Sequence, residues 1–177
     1  MFCFYYGKAV GELGPGGPFK GTLNSKTTTA NEYDYTTMFN TENSFRVGND
    51  DFGYISIPNT WVNFKDVNGN STLQYTDNGS WIVTIYAMPT TQMTAEAWAN
   101  SVYKAIVNNG GQNIQTSTST IDVYNALKIT AYYPKQKKYL ATWFFESKAG
   151  KTHYLAIEGP ESSGDPYNSI YSFKEDQ

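Results

Sequence analysis

The sequence predicts a single α+β domain, an antiparallel β-sheet flanked by helices on both faces in an α/β/α sandwich. Three observations predict it. Two strand-rich blocks bracket one stretch of strong helical periodicity, the strands near the C-terminus are apolar on both of their faces, and the last residues carry a second apolar stripe. A strand pair apolar on both faces needs a cover on each side, which is why the sequence predicts helices above and below the sheet.

The chain has 177 residues, 40% of them hydrophobic and 16% aromatic, enough for a core that folds alone. Residues 1–44 read differently from the rest. Gly14 to Lys20 runs Gly-Pro-Gly-Gly-Pro-Phe-Lys, and Thr22 to Thr41 is rich in Thr and Asn without a sustained period of two or 3.6. This predicts a flexible arm or tether over 1–44 and a folded domain over 45–177, beginning near Phe45. Tyr33, Tyr35 and Phe39 offer the arm some apolar grip on a sheet edge.

Gly53 to Ile57 forms a short strand ending at Pro58, which has no N–H for a ladder, and Trp61 follows as a large anchor. Asp66 to Asn70 reads as a turn. Thr72–Thr76 and Trp81–Met88 read as strands joined through Asp77-Asn78-Gly79, where Asn and Gly tolerate positive φ. Thr94 is a candidate N-cap with Glu96 in the first turn. Ala95, Trp98, Ala99, Val102, Tyr103 and Ile106 then recur at helical spacing until Asn109-Gly110-Gly111 stops the run.

A second strand block covers Ile114–Asp122, Leu127–Tyr133, Tyr139–Ser147 and Thr152–Glu158. Reading Ala149-Gly150 as a two-residue connection sets Lys148 against Lys151, Glu146 against His153 and Phe144 against Leu155. On that register Phe144, Leu155 and Ile157 share one face, and Trp143, Phe145, Tyr154 and Ala156 the other. The second helical cover falls to the C-terminal segment. There Asp165 is placed to cap, Pro166 suits the first helical position, and Tyr167, Ile170 and Phe173 form a stripe.

Composition narrows the function classes. A net charge of −3 with scattered Lys and Arg gives no footprint for nucleic acid or an anionic membrane. The one basic cluster, Lys135, Lys137 and Lys138, sits in a hairpin turn, where solvated charge is the default and a small docking patch the alternative. A 16% charged fraction beside many Tyr, Asn, Thr and Ser residues is more typical of exported than of cytosolic proteins. Neither a signal peptide nor a bilayer-spanning stretch is present, so an extracellular or surface-anchored placement requires a targeting or anchoring segment upstream of this chain. Cys3 is the single cysteine, which excludes an intrachain disulfide framework. Met1-Phe2-Cys3 before Gly7-Lys8 resembles half of a zinc knuckle, but Tyr6 stands where the second cysteine belongs and no later pair exists.

The material for catalysis is thin. His153 is the only histidine, and Glu146, set across from it, makes the best acid–base pair; no Gly-x-Ser-x-Gly elbow or nearby cysteine completes a triad. An exposed ion pair is the ordinary reading of those two, a ligand contact the next and a hydrolase the third. Asp66, Asn68 and Asn70 with Asp77 at the twelfth place partly match a calcium loop, yet Ser71 replaces the turn glycine and Asp77 is too short for a bidentate grip. No cofactor motif is present. Asn70 and Asn78 are formal glycosylation acceptors. The aromatic residues suggest a sugar platform, with Tyr33, Tyr35, Tyr132, Tyr133 and Tyr139 the least committed to the core.

Phe52-Gly-Tyr-Ile-Ser-Ile-Pro-Asn-Thr-Trp61 resembles the opening signature of the PsbP-like family, and Ser169-Ile-Tyr-Ser-Phe173-Lys174 is similar to that family's closing residues. The resemblance spans about Phe45 to Lys174. Family members include an extrinsic subunit of the oxygen-evolving complex and, on the same fold, a nuclear protein that binds the small GTPase Ran. It implies an α/β/α sandwich used as a non-enzymatic binding scaffold, here closest to an exported or lipid-anchored bacterial branch. The charged and histidine contacts of the photosynthetic subunit have no counterpart in this chain, so no partner transfers. The sequence therefore leads to a non-catalytic binding or scaffold domain with a protein partner, the alternative being a small-ligand or carbohydrate-binding module. Glu146, His153 and Trp61 are its candidate contact residues.

Overall fold

The structure, a computed structural model, describes residues 17–19, 43–65 and 72–176. The elements in chain order are β1 (Ser44–Asn49), β2 (Gly53–Pro58), β3 (Val62–Phe64), β4 (Leu73–Thr76), β5 (Ile82–Pro89), α1 (Ala95–Asn108), β6 (Gln112–Ile121), β7 (Tyr124–Tyr133), β8 (Lys138–Glu146) and β9 (Lys151–Gly159), followed by a 3-10 turn (Asp165–Tyr167) and α2 (Asn168–Tyr171). Seven strands form one antiparallel sheet in the order β3-β4-β5-β9-β8-β7-β6, and β1 with β2 form a separate hairpin. The strands expected to be apolar on both faces, β8 and β9, sit inside the sheet with neighbours on either side, as their buried faces require.

The helix forms where periodicity places it. Thr94 accepts a hydrogen bond from the Ala97 N–H at 3.2 Å, and Ala95, Trp98, Ala99, Val102 and Ile106 are buried on one stripe. That stripe packs with Leu127, Ile129, Leu140, Phe144 and Tyr154 of the sheet. Phe19, from the segment expected to be a tether, is 2% exposed and belongs to this same cluster. The remainder of the arm, apart from 17–19 and 43–44, lies outside the described residues.

The opposite face corrects the predicted fold class. The α/β/α sandwich predicted from the doubly apolar strand pair and implied by the PsbP-like resemblance does not form, and the domain is mostly β. Among the described residues only one face carries a long helix. The other is covered by the β1–β2 hairpin and by the C-terminal segment, whose helix α2 spans just Asn168–Tyr171. The predicted stripe does turn inward, with Tyr167, Ile170 and Phe173 buried against Trp143, Phe145, Leu155 and Ile157. A stripe of three apolar residues is served as well by a 3-10 turn and one α-turn as by a full helix. β1 escapes detection because Val47 is its one buried residue.

The tail beyond α2 pairs with the hairpin. The Tyr54 N–H donates to the Lys174 carbonyl at 2.8 Å, and the Lys174 N–H returns to the Tyr54 carbonyl at 2.9 Å. Gly53 permits this approach, since its φ is +84° and a Cβ there would lie 2.4 Å from Phe173.

The β8–β9 register also departs from expectation. Glu146 lies opposite Thr152, Phe145 opposite His153 and Trp143 opposite Leu155. The connection closes between Ser147 and Lys151, with the Ser147 N–H donating to the Lys151 carbonyl at 2.8 Å and the Gly150 N–H to the Ser147 carbonyl at 3.1 Å. A two-residue hairpin turn would need positive φ at Ala149 as well as Gly150; the observed loop places only Gly150 there, at +74°. The extra loop residue slips the pairing by one, so residues expected to share a face lie on opposite faces.

Candidate functional site

That slip separates the pair on which acid–base chemistry depended. Glu146 points toward the helix face, where its Oε1 accepts the Ala95 N–H at 2.9 Å and serves the first turn of α1. His153 belongs to the other face. Trp61 is 5% exposed and packs within the core beneath that face. The three candidate contact residues are therefore not brought together.

His153 is instead part of a ring stack. Its imidazole lies over Phe145 at 5.0 Å with an interplanar angle of 10°, Tyr124 stacks on Phe145 from the β7 side at 5.4 Å, and Phe173 meets His153 edge-on at 5.1 Å. The ring is 1% exposed. Its Nδ1 lies 3.2 Å from the Phe52 carbonyl oxygen, which only accepts, so the proton of the neutral ring belongs on Nδ1. The turn that aims this carbonyl is held by Asn49, whose Oδ1 accepts the Asp51 and Phe52 N–H groups at 3.0 and 2.8 Å.

Nε2 is left as a lone-pair acceptor, buried and, among the described residues, without a hydrogen-bond partner. It faces the carboxylate of Glu175 in the C-terminal tail, with Oε1 3.8 Å away. Burial lowers the imidazole pKa to about 4, a shift that the Phe52 carbonyl and Glu175 only partly oppose. The ring is neutral at pH 7. Burial raises the Glu175 pKa, but the Ser147 and Tyr124 hydroxyls, with His153 and Lys151, outweigh it and hold the carboxyl below its ordinary value. Tyr124 donates its hydroxyl to Glu175 Oε2, and its own pKa is pushed up to about 12, first by burial and then by that carboxylate.

These groups border a cavity of about 360 Å³ between the β8–β9 loop, the β1–β2 turn and the tail. His153, Tyr124 and Glu175 line it, together with Asp50, Asp122 and Lys151. The cations nearby are already engaged. Lys151 Nζ donates to the Asp50 and Asp51 carbonyl oxygens at 2.6 and 3.0 Å, and Lys174 Nζ pairs with Asp122. Sequence inspection missed Glu175, Tyr124, Asp122 and Asp50. They meet His153 from three distant segments, and no local motif marks them.

Of the calcium-loop candidates, Asp66, Asn68 and Asn70 lie outside the described residues, and Asp77 is occupied in its turn, accepting the Trp81 N–H at 2.7 Å. Among the described residues no group of three or more His, Cys, Asp or Glu side chains could hold a metal ion. Of the five tyrosines read as a sugar platform, three lie among the described residues. Tyr133 is buried, Tyr132 and Tyr139 form a half-buried pair 4.7 Å apart, and Tyr33 and Tyr35 lie outside the described residues. Among the described residues no helix is long and apolar enough to cross a membrane.

No family model and no curated protein matches the chain. Among solved structures it is similar to a crystal structure from Bacteroides thetaiotaomicron VPI-5482, with a TM-score of 0.44 and 12% identity over 74% of this chain and 47% of the other. This chain thus spans about half the length of that protein.

Proposed function

We propose that this chain is a non-catalytic binding domain whose recognition element is the polar cleft between the β8–β9 loop and the C-terminal tail. One observation supports it above the rest: His153 Nε2, buried and unpartnered, faces an acidic cavity. An unsatisfied buried acceptor costs on the order of 1–3 kcal/mol, which a bound donor would recover. The cavity volume suits a small ligand. Among the described residues no hydroxyl or thiol is hydrogen-bonded to His153 Nε2, so the ring is not paired with a nucleophile as an acid–base dyad is, which favours binding over hydrolysis as the reading. The low-charge, hydroxyl-rich composition supports a place outside the cytoplasm.

A fragment library screened through amide NMR spectra tests this. Hits should move Tyr124, Lys151 and His153 and vanish in His153→Phe; hits confined to other surfaces would end the proposal.

A second reading, strand pairing with a protein partner, is favoured by β6. This strand ends the sheet, has no second neighbour among the described residues, and is exposed and free of charge and proline over most of Gln112–Ile121. Its simplest form is a second copy of the chain. Sedimentation should then show a dimer that Thr116→Lys with Thr118→Lys dissolves, and a monomer at every concentration would remove that form.

A further inference from the structure

The geometry of the cleft points to a ligand class. We propose that its occupant is a small organic ammonium ion, a primary or secondary amine whose N–H groups are shared between His153 Nε2 and Glu175 Oε1. This rests on the cleft being the binding site, and it follows from counting donors against acceptors there.

With the Nδ1 proton directed at the Phe52 carbonyl, Nε2 can only accept. The group facing it, Glu175, is an ionised carboxylate and also only accepts. Two acceptors held 3.8 Å apart do not bond to each other. An N–H donor beside them satisfies both. Nε2 is itself shut off from solvent, so entry requires the partly exposed Glu175 side chain, 26% accessible, to swing aside. That swing gives up the Tyr124 hydrogen bond to Glu175, while the tail's backbone pairing to Tyr54 stops at Lys174.

Charge distinguishes a cation from a neutral donor or an anion. Asp50, Asp122, Glu175 and Asp176 line the cleft, and these carboxylates still outnumber the cations Lys151, in the lining, and Lys174, paired with Asp122. Lys151 offers an anion little, since its ammonium is taken up by the Asp50 and Asp51 carbonyl oxygens and lies 4.0 Å from Asp51 Oδ1. A metal ion is disfavoured for want of a third ligating side chain among the described residues. An ammonium ion brings both the positive charge and the several N–H donors that these acceptors lack.

Three probes of similar size test the proposal on the full chain: butylammonium, tetramethylammonium and butyrate, each titrated while the His153 ring nitrogens and the Glu175 carboxyl are followed by NMR. Butylammonium should shift both sites saturably, and Glu175→Gln should weaken it by about tenfold or more, as loss of a charge-assisted hydrogen bond implies. His153→Phe should abolish the response at the Glu175 carboxyl. Glu175→Gln, at a partly exposed position, guards against misreading a folding defect in the buried variant. An equal response to tetramethylammonium, which has no N–H, would overturn the shared-donor geometry. Binding of butyrate but not of butylammonium would keep the cleft as a site and overturn the ligand class. Silence with all three probes would overturn both the class and the cleft.

Discussion

The two faces of the sheet are both aromatic, yet they end differently at the β8–β9 loop. On the helix face Trp98 stacks on Tyr154 at 5.5 Å and meets Phe144 at 5.9 Å, and the charged residue at the strand end, Glu146, is absorbed as a cap on α1. On the opposite face Trp143 is enclosed by Tyr167 and Tyr171, but the residue at the strand end, His153, keeps one nitrogen unsatisfied beside a cavity. A long helix has orphan N–H groups that consume a neighbouring carboxylate. On the opposite face the tail beyond α2 crosses the strand end and sets a carboxylate, not a donor, beside His153 Nε2. The lesson is that the cover, more than the sheet, decides where a site can exist.

The largest expected effect asks whether both faces are equally tight. Trp143→Ala and Trp98→Ala should each destabilise the domain by about 3–5 kcal/mol in urea unfolding, as truncation of a buried large aromatic does. A loss under about 1 kcal/mol for either would show that face to be loosely held.

The next effect belongs to one face only. The folded-state pKa of His153, about 4, lies below the unfolded value near 6.5, so the unfolded chain takes up the proton first as pH falls. Stability from the neutral ring is full above about 6.5, falls through the interval, and is lost below about 4. The contribution at stake is about 3 kcal/mol. Glu175, with its carboxyl held below the ordinary range, loses stability in the same acid direction. Unfolding midpoints measured from pH 7 to 4 should fall steeply in the natural chain and more shallowly in His153→Phe; parallel curves would mean that the imidazole is not buried neutral.

Glu146→Ala sharpens the contrast from the other side. Removing the carboxylate that receives the Ala95 N–H should cost about 1 kcal/mol and leave butylammonium binding unchanged. A change in the cleft response would contradict the separation of the two residues. The smallest effect is reserved for Lys174→Ala. Its ion pair with Asp122 is half exposed and should contribute less than about 1 kcal/mol, measurable as a small shift in the urea midpoint.

Much of the architecture was legible because it depends on local chemistry. Thr94 caps α1, Asn109 and Gly110 end it, and Asn78 and Gly79 take the positive φ that joins β4 to β5. β9 and the inner face of β2 follow from β-branched and aromatic alternation. β1 did not announce itself, because a strand with one buried residue has no period to detect. The site was less accessible still. His153 stood out only by being unique, and its partner was misassigned because Ala149 resists the backbone conformation that a two-residue turn requires. Glu175 lies in a tail with no pattern of its own, and tertiary contacts, the Tyr54–Lys174 bridge and the Tyr124 hydroxyl, bring it to the imidazole.

The sequence by itself determined the antiparallel sheet, the single long helix, and the inward turn of Tyr167, Ile170 and Phe173, since hydrophobic period and turn residues act over a few positions. Tertiary structure alone decided that the second cover is a hairpin with a tail, that Glu146 and His153 part to opposite faces, and that Tyr124, His153 and Glu175 converge on one cavity. The physical reason is parity and reach. One loop residue inverts every side chain of a strand pair, and a contact between residues far apart in the chain exists only after the sheet and its covers have assembled.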